Sequence, residues 1–166
     1  MDAMARILTN LERRTLEAMA ERIFPTTDSP GAVEIGAVNY IEIALAGDYA
    51  ALLPLYRGGL RALNRHAKAK FGGQFAHLDG QQQDEALKGF ESATAPFNKA
   101  AEFFDMVKYH VFEGIFCEPQ YGGNINMAGW RVVGFPGQQW GYPDAYINKP
   151  VDIAPVAVDY AKAGTK

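Results

Sequence analysis

The chain has 166 residues, 48% of them hydrophobic and 21% charged, with a formal net charge of -3. A pI near 5.6 excludes a basic nucleic-acid binder, and 12% aromatic residues with a mean hydropathy of -0.16 exclude a disordered chain. No apolar run reaches the roughly 18 residues that a membrane span requires, and the single cysteine, Cys117, can build neither an internal disulfide nor a thiolate metal site.

A chain of this length buries about 70% of its unfolded surface and usually forms one domain. Residues 1–9 carry neither the apolar core of a signal peptide nor a twin-arginine pair. A cytoplasmic protein and a mature exported one therefore both stay open.

The first helix is predicted over residues 9–24. Thr9 and Glu12 have the spacing of a capping box, in which each side chain bonds the other's free backbone N–H. Leu16, Met19, Ala20, Ile23 and Phe24 follow at helical spacing, and Pro25 ends the run. A turn-rich loop, residues 26–31, leads to a second predicted helix over 32–46. Its apolar face is Val33, Ala37, Tyr40, Ile41, Ala44 and Leu45, and Gly47 closes it.

A third helix is predicted over 52–71, with Pro54 in its first turn and Gly72 at its end. Tyr56, Leu60, Leu63, Ala67 and Phe71 share one side of it. Arg57, Arg61, Arg65, Lys68 and Lys70 form a basic outer face that reads as solvated. Asp79 and Gln82 predict a second capping box and a fourth helix with Leu87 and Phe90 inward. The fifth helix is predicted from Pro96 to about Phe116, and its stripe of Ala100, Phe103, Phe104, Val107, Val111 and Ile115 puts it at the centre of the bundle. No period-2 strand pattern and no internal repeat is present.

At Glu118 the composition changes. Residues 118–150 hold six glycines, four prolines and six aromatics but only four charged residues. A stretch of this length without helix or strand pattern is rare in a compact domain unless it serves a function. The reading is therefore all-α: a helical bundle of about five helices over 9–117, an irregular Gly- and aromatic-rich arm over 118–150, and a small, polar, flexible tail over 151–166.

Candidate chemistry is sparse. His110 and Glu113 share a helix face, but a carboxylate-bridged metal bundle needs Glu-x-x-His twice, and position 107 is valine. Cys117 reads as a half-buried inert thiol, with an intermolecular disulfide as the sharper alternative. Gly122-Gly123-Asn124 lacks the strand and helix of a phosphate cradle and reads as a tight turn with positive φ. No GxGxxG run is present. These residues lean toward a binding or accessory subunit.

Several runs in order resemble one family: Pro25-Thr26-Thr27-Asp28-Ser29-Pro30-Gly31-Ala32, Phe75 with Leu78, Glu113-Gly114, Pro119-Gln120-Tyr121-Gly122-Gly123-Asn124, Gly129-Trp130 and Gly134-Phe135-Pro136-Gly137. Their order and spacing resemble the gluconate 2-dehydrogenase subunit 3 family, the small subunit of bacterial flavin-dependent sugar dehydrogenases. The resemblance implies a noncatalytic subunit without a cofactor or metal of its own. Its implied partner is a large catalytic subunit of the glucose–methanol–choline (GMC) type, which carries FAD and passes electrons to a c-type cytochrome subunit or another acceptor.

The resemblance also implies support of the partner's folding and twin-arginine export, and so a periplasmic location. The competing readings are a transient assembly or export chaperone and a stand-alone enzyme. The arm is expected to lie along the catalytic subunit through Tyr121, Asn124, Trp130, Phe135, Trp140 and Tyr142. The alternative, left open, is that Trp130 and Phe135 fold back onto their own helices.

Overall fold

Thr9 starts the bundle as anticipated. Its hydroxyl accepts from the Glu12 N–H, while Glu12 accepts from the Thr9 N–H, and α1 (Asn10–Ile23) follows. Burial pushes the Glu12 carboxyl up, but the Thr9 bonds and the guanidinia of Arg61 and Arg57 outweigh it and hold the group below its ordinary value. Arg61 pairs with Glu12 at 3.2 Å, Arg57 donates to the Ile7 carbonyl, and Lys70 pairs with Glu85 at 2.7 Å. Three of the five cations on the basic face thus bind their own chain.

The computed structural model describes residues 7–138 and 153–158. Among them the elements are α1, α2 (Ala32–Ile35), α3 (Ala37–Ala46), α4 (Leu53–Phe71), α5 (Gly80–Glu91), α6 (Ala100–Phe116) and α7 (Ala128–Val132), with short 3-10 turns between some of them. The all-α reading holds. The one extended pairing among the described residues is a parallel bridge between Gly137 and Val156. It places residues 153–158, expected as tail, beside 136–138, through Gln138 N–H to Val156 O and Val156 N–H to Pro136 O, both 3.1 Å.

Helix α6 is central, touching α1 to α5 and α7. Phe103, Val107, Val111 and Ile115 are fully buried, as the stripe predicted. Phe103 meets Tyr56 and Phe90 edge-on, each at 6.0 Å, which joins α4, α5 and α6 into one core. The Asp79–Gln82 box is formed, and Leu87 and Phe90 point inward.

Three boundaries differ from the sequence reading. The second predicted helix is broken at Gly36, whose φ of 91° is left-handed, so α2 and α3 are separate. A Cβ at Gly36 would lie 2.7 Å from Ile125 Cδ1: the break lets a later segment dock on the bend. Helix α6 starts at Ala100 rather than Pro96, because residues 96–99 turn so that Phe97 packs near Gly58 and the Phe90 ring. The arm is not free of helix: α7 and two 3-10 turns, Pro119–Tyr121 and Ile125–Met127, lie within it.

Helices α3 and α6 approach closely where Gly114 faces Ala37. A Cβ on Gly114 would sit 2.8 Å from Ala37 Cα, a backbone atom that cannot rotate away. Gly114→Ala is expected to destabilise the chain by about 1–3 kcal/mol through overpacking, although alanine gains about 1 kcal/mol in helix propensity. Urea unfolding measures the balance, and a stabilised variant would refute the close contact.

Candidate functional site

The end of α6 organises the site. The last carbonyls of a helix lack intrahelical partners, and here residues 123–130 supply them. The Asn124 N–H donates to Gly114 O at 2.8 Å, Asn124 Nδ2 to Cys117 O at 2.9 Å, and Trp130 Nε1 to Phe116 O at 2.8 Å. Asn124 Oδ1 accepts from the Gly129 N–H at 2.9 Å, which ties α7 to the same cap. Reaching this geometry takes left-handed backbone at Gly122, Asn124, Asn126 and Met127. The tight turn with positive φ read at Gly122-Gly123-Asn124 is therefore present.

The expected interface residues divide accordingly. Asn124 and Trp130 are buried in their own chain, at 0% and 4% exposure, so neither side chain is presented on the described surface. Tyr121 and Phe135 are exposed at 53% and 47%, Phe135 standing edge-on to Trp130 at 5.1 Å. Trp140 and Tyr142 lie outside the described residues. Other apolar side chains, not singled out from the sequence, are exposed too: Tyr109 and Phe112 on α6, Ile125, and Val132 and Val133 at the end of α7.

Beside this cap a cleft of about 540 Å³ opens between α3, the α3–α4 connection and the end of α6. Its walls include Tyr40, Tyr49, Phe116 and Tyr121, with carboxylates from Asp48, Glu113 and Glu118. Cys117 also lines it. Burial pushes the Cys117 thiol up, with Glu113 and Glu118 acting the same way against two backbone N–H contacts. A thiol held protonated is a weak nucleophile.

Four elements meet behind the cleft wall. Tyr40 donates to Glu113 Oε2 at 3.0 Å, and Tyr49 reaches the same carboxylate at 3.4 Å. Tyr56 and His110 Nδ1 are 2.7 Å apart, and His110 Nε2 lies 4.0 Å from Glu113 Oε2. Tyr49 stacks on the His110 ring at 4.6 Å. Burial pushes the Tyr56 hydroxyl well up, so it stays a donor. It follows that Nδ1 accepts and that the neutral ring carries its proton on Nε2, facing Glu113.

Sequence reading placed His110 and Glu113 on one face but missed Tyr40, Tyr49 and Tyr56 as their partners. In the sequence Tyr40 and Tyr56 stand out only as members of apolar helix faces, and partners 54 to 73 positions away leave no mark in local spacing. The cluster does not extend to a ligand set for metal: among the described residues no group of three or more His, Cys, Asp or Glu could hold an ion.

Burial holds the His110 imidazole below its ordinary value, against the opposing pull of Glu113. Burial and Lys70 do the same to His66. The unfolded chain therefore binds protons that the folded chain refuses. The stability from keeping these rings neutral is complete above the unfolded value of about 6.5 and declines as pH falls below it. Thermal melts at pH 7, 6 and 5 are expected to show a falling Tm, with a shallower fall in His110→Gln. Equal slopes in the two proteins would show that His110 does not titrate this way. Asn124→Ala, which orphans Cys117 O and the Gly129 N–H, is expected to cost about 2–3 kcal/mol in urea unfolding.

Residues 10–137 match the family model described as Gluconate 2-dehydrogenase subunit 3. No curated protein and no solved structure matches the chain. The match spans most of the sequence and includes α1 to α7, the α6 cap and the cleft. The chain belongs to the gluconate 2-dehydrogenase subunit 3 family, whose name places it in an oxidoreductase complex.

Proposed function

We propose that the chain is the noncatalytic small subunit of a bacterial FAD-dependent, GMC-type sugar or sugar-acid dehydrogenase, retained in the mature complex. In this reading it stabilises the catalytic flavoprotein and assists its folding and twin-arginine export to the periplasm. The flavin belongs to the large subunit, which hands electrons to a c-type cytochrome subunit or another acceptor.

The observation that carries this reading, beside family membership, is the set of exposed apolar side chains: Tyr109 and Phe112 on α6, Tyr121 at the cleft rim, and Val133 and Phe135 after α7. Exposed apolar side chains of this size are ready anchors for a protein contact. Fully burying one such side chain contributes about 1.5–3 kcal/mol, so a few anchors can dominate an interface. A subunit that binds only the folded flavoprotein stabilises it by mass action.

The cleft does not suit FAD. A flavin dinucleotide brings a pyrophosphate, and Asp48, Glu113 and Glu118 would repel it. Among the described residues, the neutral His110 behind the wall has Tyr49, Tyr56 and Glu113 as neighbours, none of them an activated nucleophile.

The test is co-expression with the flavoprotein subunit of the complex. The two chains are expected to co-elute in fixed ratio, with the yellow colour and sugar oxidation following the large chain. Tyr121→Ala combined with Phe135→Ala is expected to cut recovery of the complex at least tenfold while leaving the small chain folded. Sugar turnover by the purified small chain alone would overturn the proposal. A mature, active flavoprotein that no longer carries the small chain would assign it a transient chaperone role instead.

A further inference from the structure

Among the described residues, the cleft is walled by aromatic rings and carboxylates and no lysine or arginine lines it. Tyr40, Tyr49 and Tyr121 supply rings, and Asp48, Glu113 and Glu118 supply negative charge. Among the described residues, none of these carboxylates pairs with a lysine or arginine. The basic group that approaches Glu113 among the described residues is His110, at 4.0 Å. Elsewhere the chain does neutralise its semi-buried acids: Glu12 has Arg61, Glu42 has Arg13 and Asp84 has Arg22.

Glu113 is held in place rather than free to turn toward bulk water. The Tyr40 and Tyr49 hydroxyls donate to it from α3 and from the connection after α3. A carboxylate fixed in a concave, ring-lined site is arranged for a planar cation, which stacks on the rings and forks onto the carboxylate. A volume of about 540 Å³ accommodates a whole side chain with room at the mouth.

We infer that this cleft receives an arginine side chain of the catalytic subunit, with its guanidinium on Glu113. The inference rests on the proposed function and deepens it by naming the chemistry of one partner contact. The source is a partner protein rather than a free metabolite because the cleft shares a wall with the exposed apolar side chains that the proposed function assigns to the partner. Tyr121 is at once a wall of the cleft and one of the exposed rings, and Tyr109, also exposed, lies within the field of Glu113. An arginine seated here would put its charge in the cleft while its subunit covers those rings.

Glu113→Gln keeps an oxygen that accepts from Tyr40 and Tyr49 but removes the charge. Binding of full-length wild-type and variant chains to the flavoprotein is measured by titration at two salt concentrations, after thermal melts establish that both are folded. The variant is expected to bind ~30-fold more weakly or worse, and to lose much of the wild type's weakening by salt. If Glu113→Gln does not fold, the rim pair Asp48→Asn and Glu118→Gln replaces it, with a several-fold loss expected.

Equal affinity of folded variant and wild type would overturn the arginine contact and leave the subunit role standing. Failure of the wild type to bind the flavoprotein at all would overturn both. As an independent arm, N-acetyl-arginine amide added to the small chain alone is expected to shift the NMR signals of Tyr40 and Tyr49. N-acetyl-citrulline amide, its neutral analogue, is expected not to. Binding of the arginine probe together with indifference of the complex to Glu113→Gln would assign the cleft to a free organic cation and refute the partner contact.

Discussion

An α-helix that ends inside a protein must find partners for its last carbonyls, and the end of α6 is where this chain solves that problem. Asn124 contributes its backbone N–H and its side-chain amide, and Trp130 contributes its indole N–H. Leaving such groups buried and unpaired costs about 1–3 kcal/mol each. This requirement fixes the path of residues 118–130: it forces the left-handed backbone, puts α7 against α6, and presses Ile125 onto the bend at Gly36. The cleft is the concavity that remains between this cap and α3.

The polar cluster behind the cleft follows from the same packing. Gly114 lets α3 come close enough to α6 for Tyr40 to reach Glu113. The buried Tyr56 hydroxyl needs an acceptor, which orients His110 and turns its other nitrogen toward the same carboxylate. Each polar group closes a demand made by another, which gives one arrangement of the ring and its tautomer. The outcome is the Glu113 carboxyl group fixed at the cleft by the Tyr40 and Tyr49 hydroxyls.

Much of the fold was legible because it rests on local rules. The capping boxes at Thr9 and Asp79, the stop at Pro25 and the apolar stripe of α6 are all read within a few residues of sequence, and all are present. The misreadings share a cause. Gly36 looks tolerable inside a helix, and Pro96 looks like a helix start, until Ile125 and Phe97 claim the space around those positions. Likewise, aromatic and glycine content identified the arm as special. It could not tell Trp130 and Asn124, which serve the chain's own interior, from Tyr121 and Phe135, which face outward. Contacts over dozens of residues decide that, and no periodicity records them.

The position of the cap has a consequence for biosynthesis. Proteins leave the ribosome N-terminus first, so the central helix is made, and its neighbours with it, before the residues that finish its end. Until Trp130 has emerged, the nascent bundle exposes the open carbonyls of α6 and the Phe116 region that Trp130 later covers. Completion of folding is thereby delayed to a late stage of translation, and a message cut short before that codon yields a bundle with an unsealed floor.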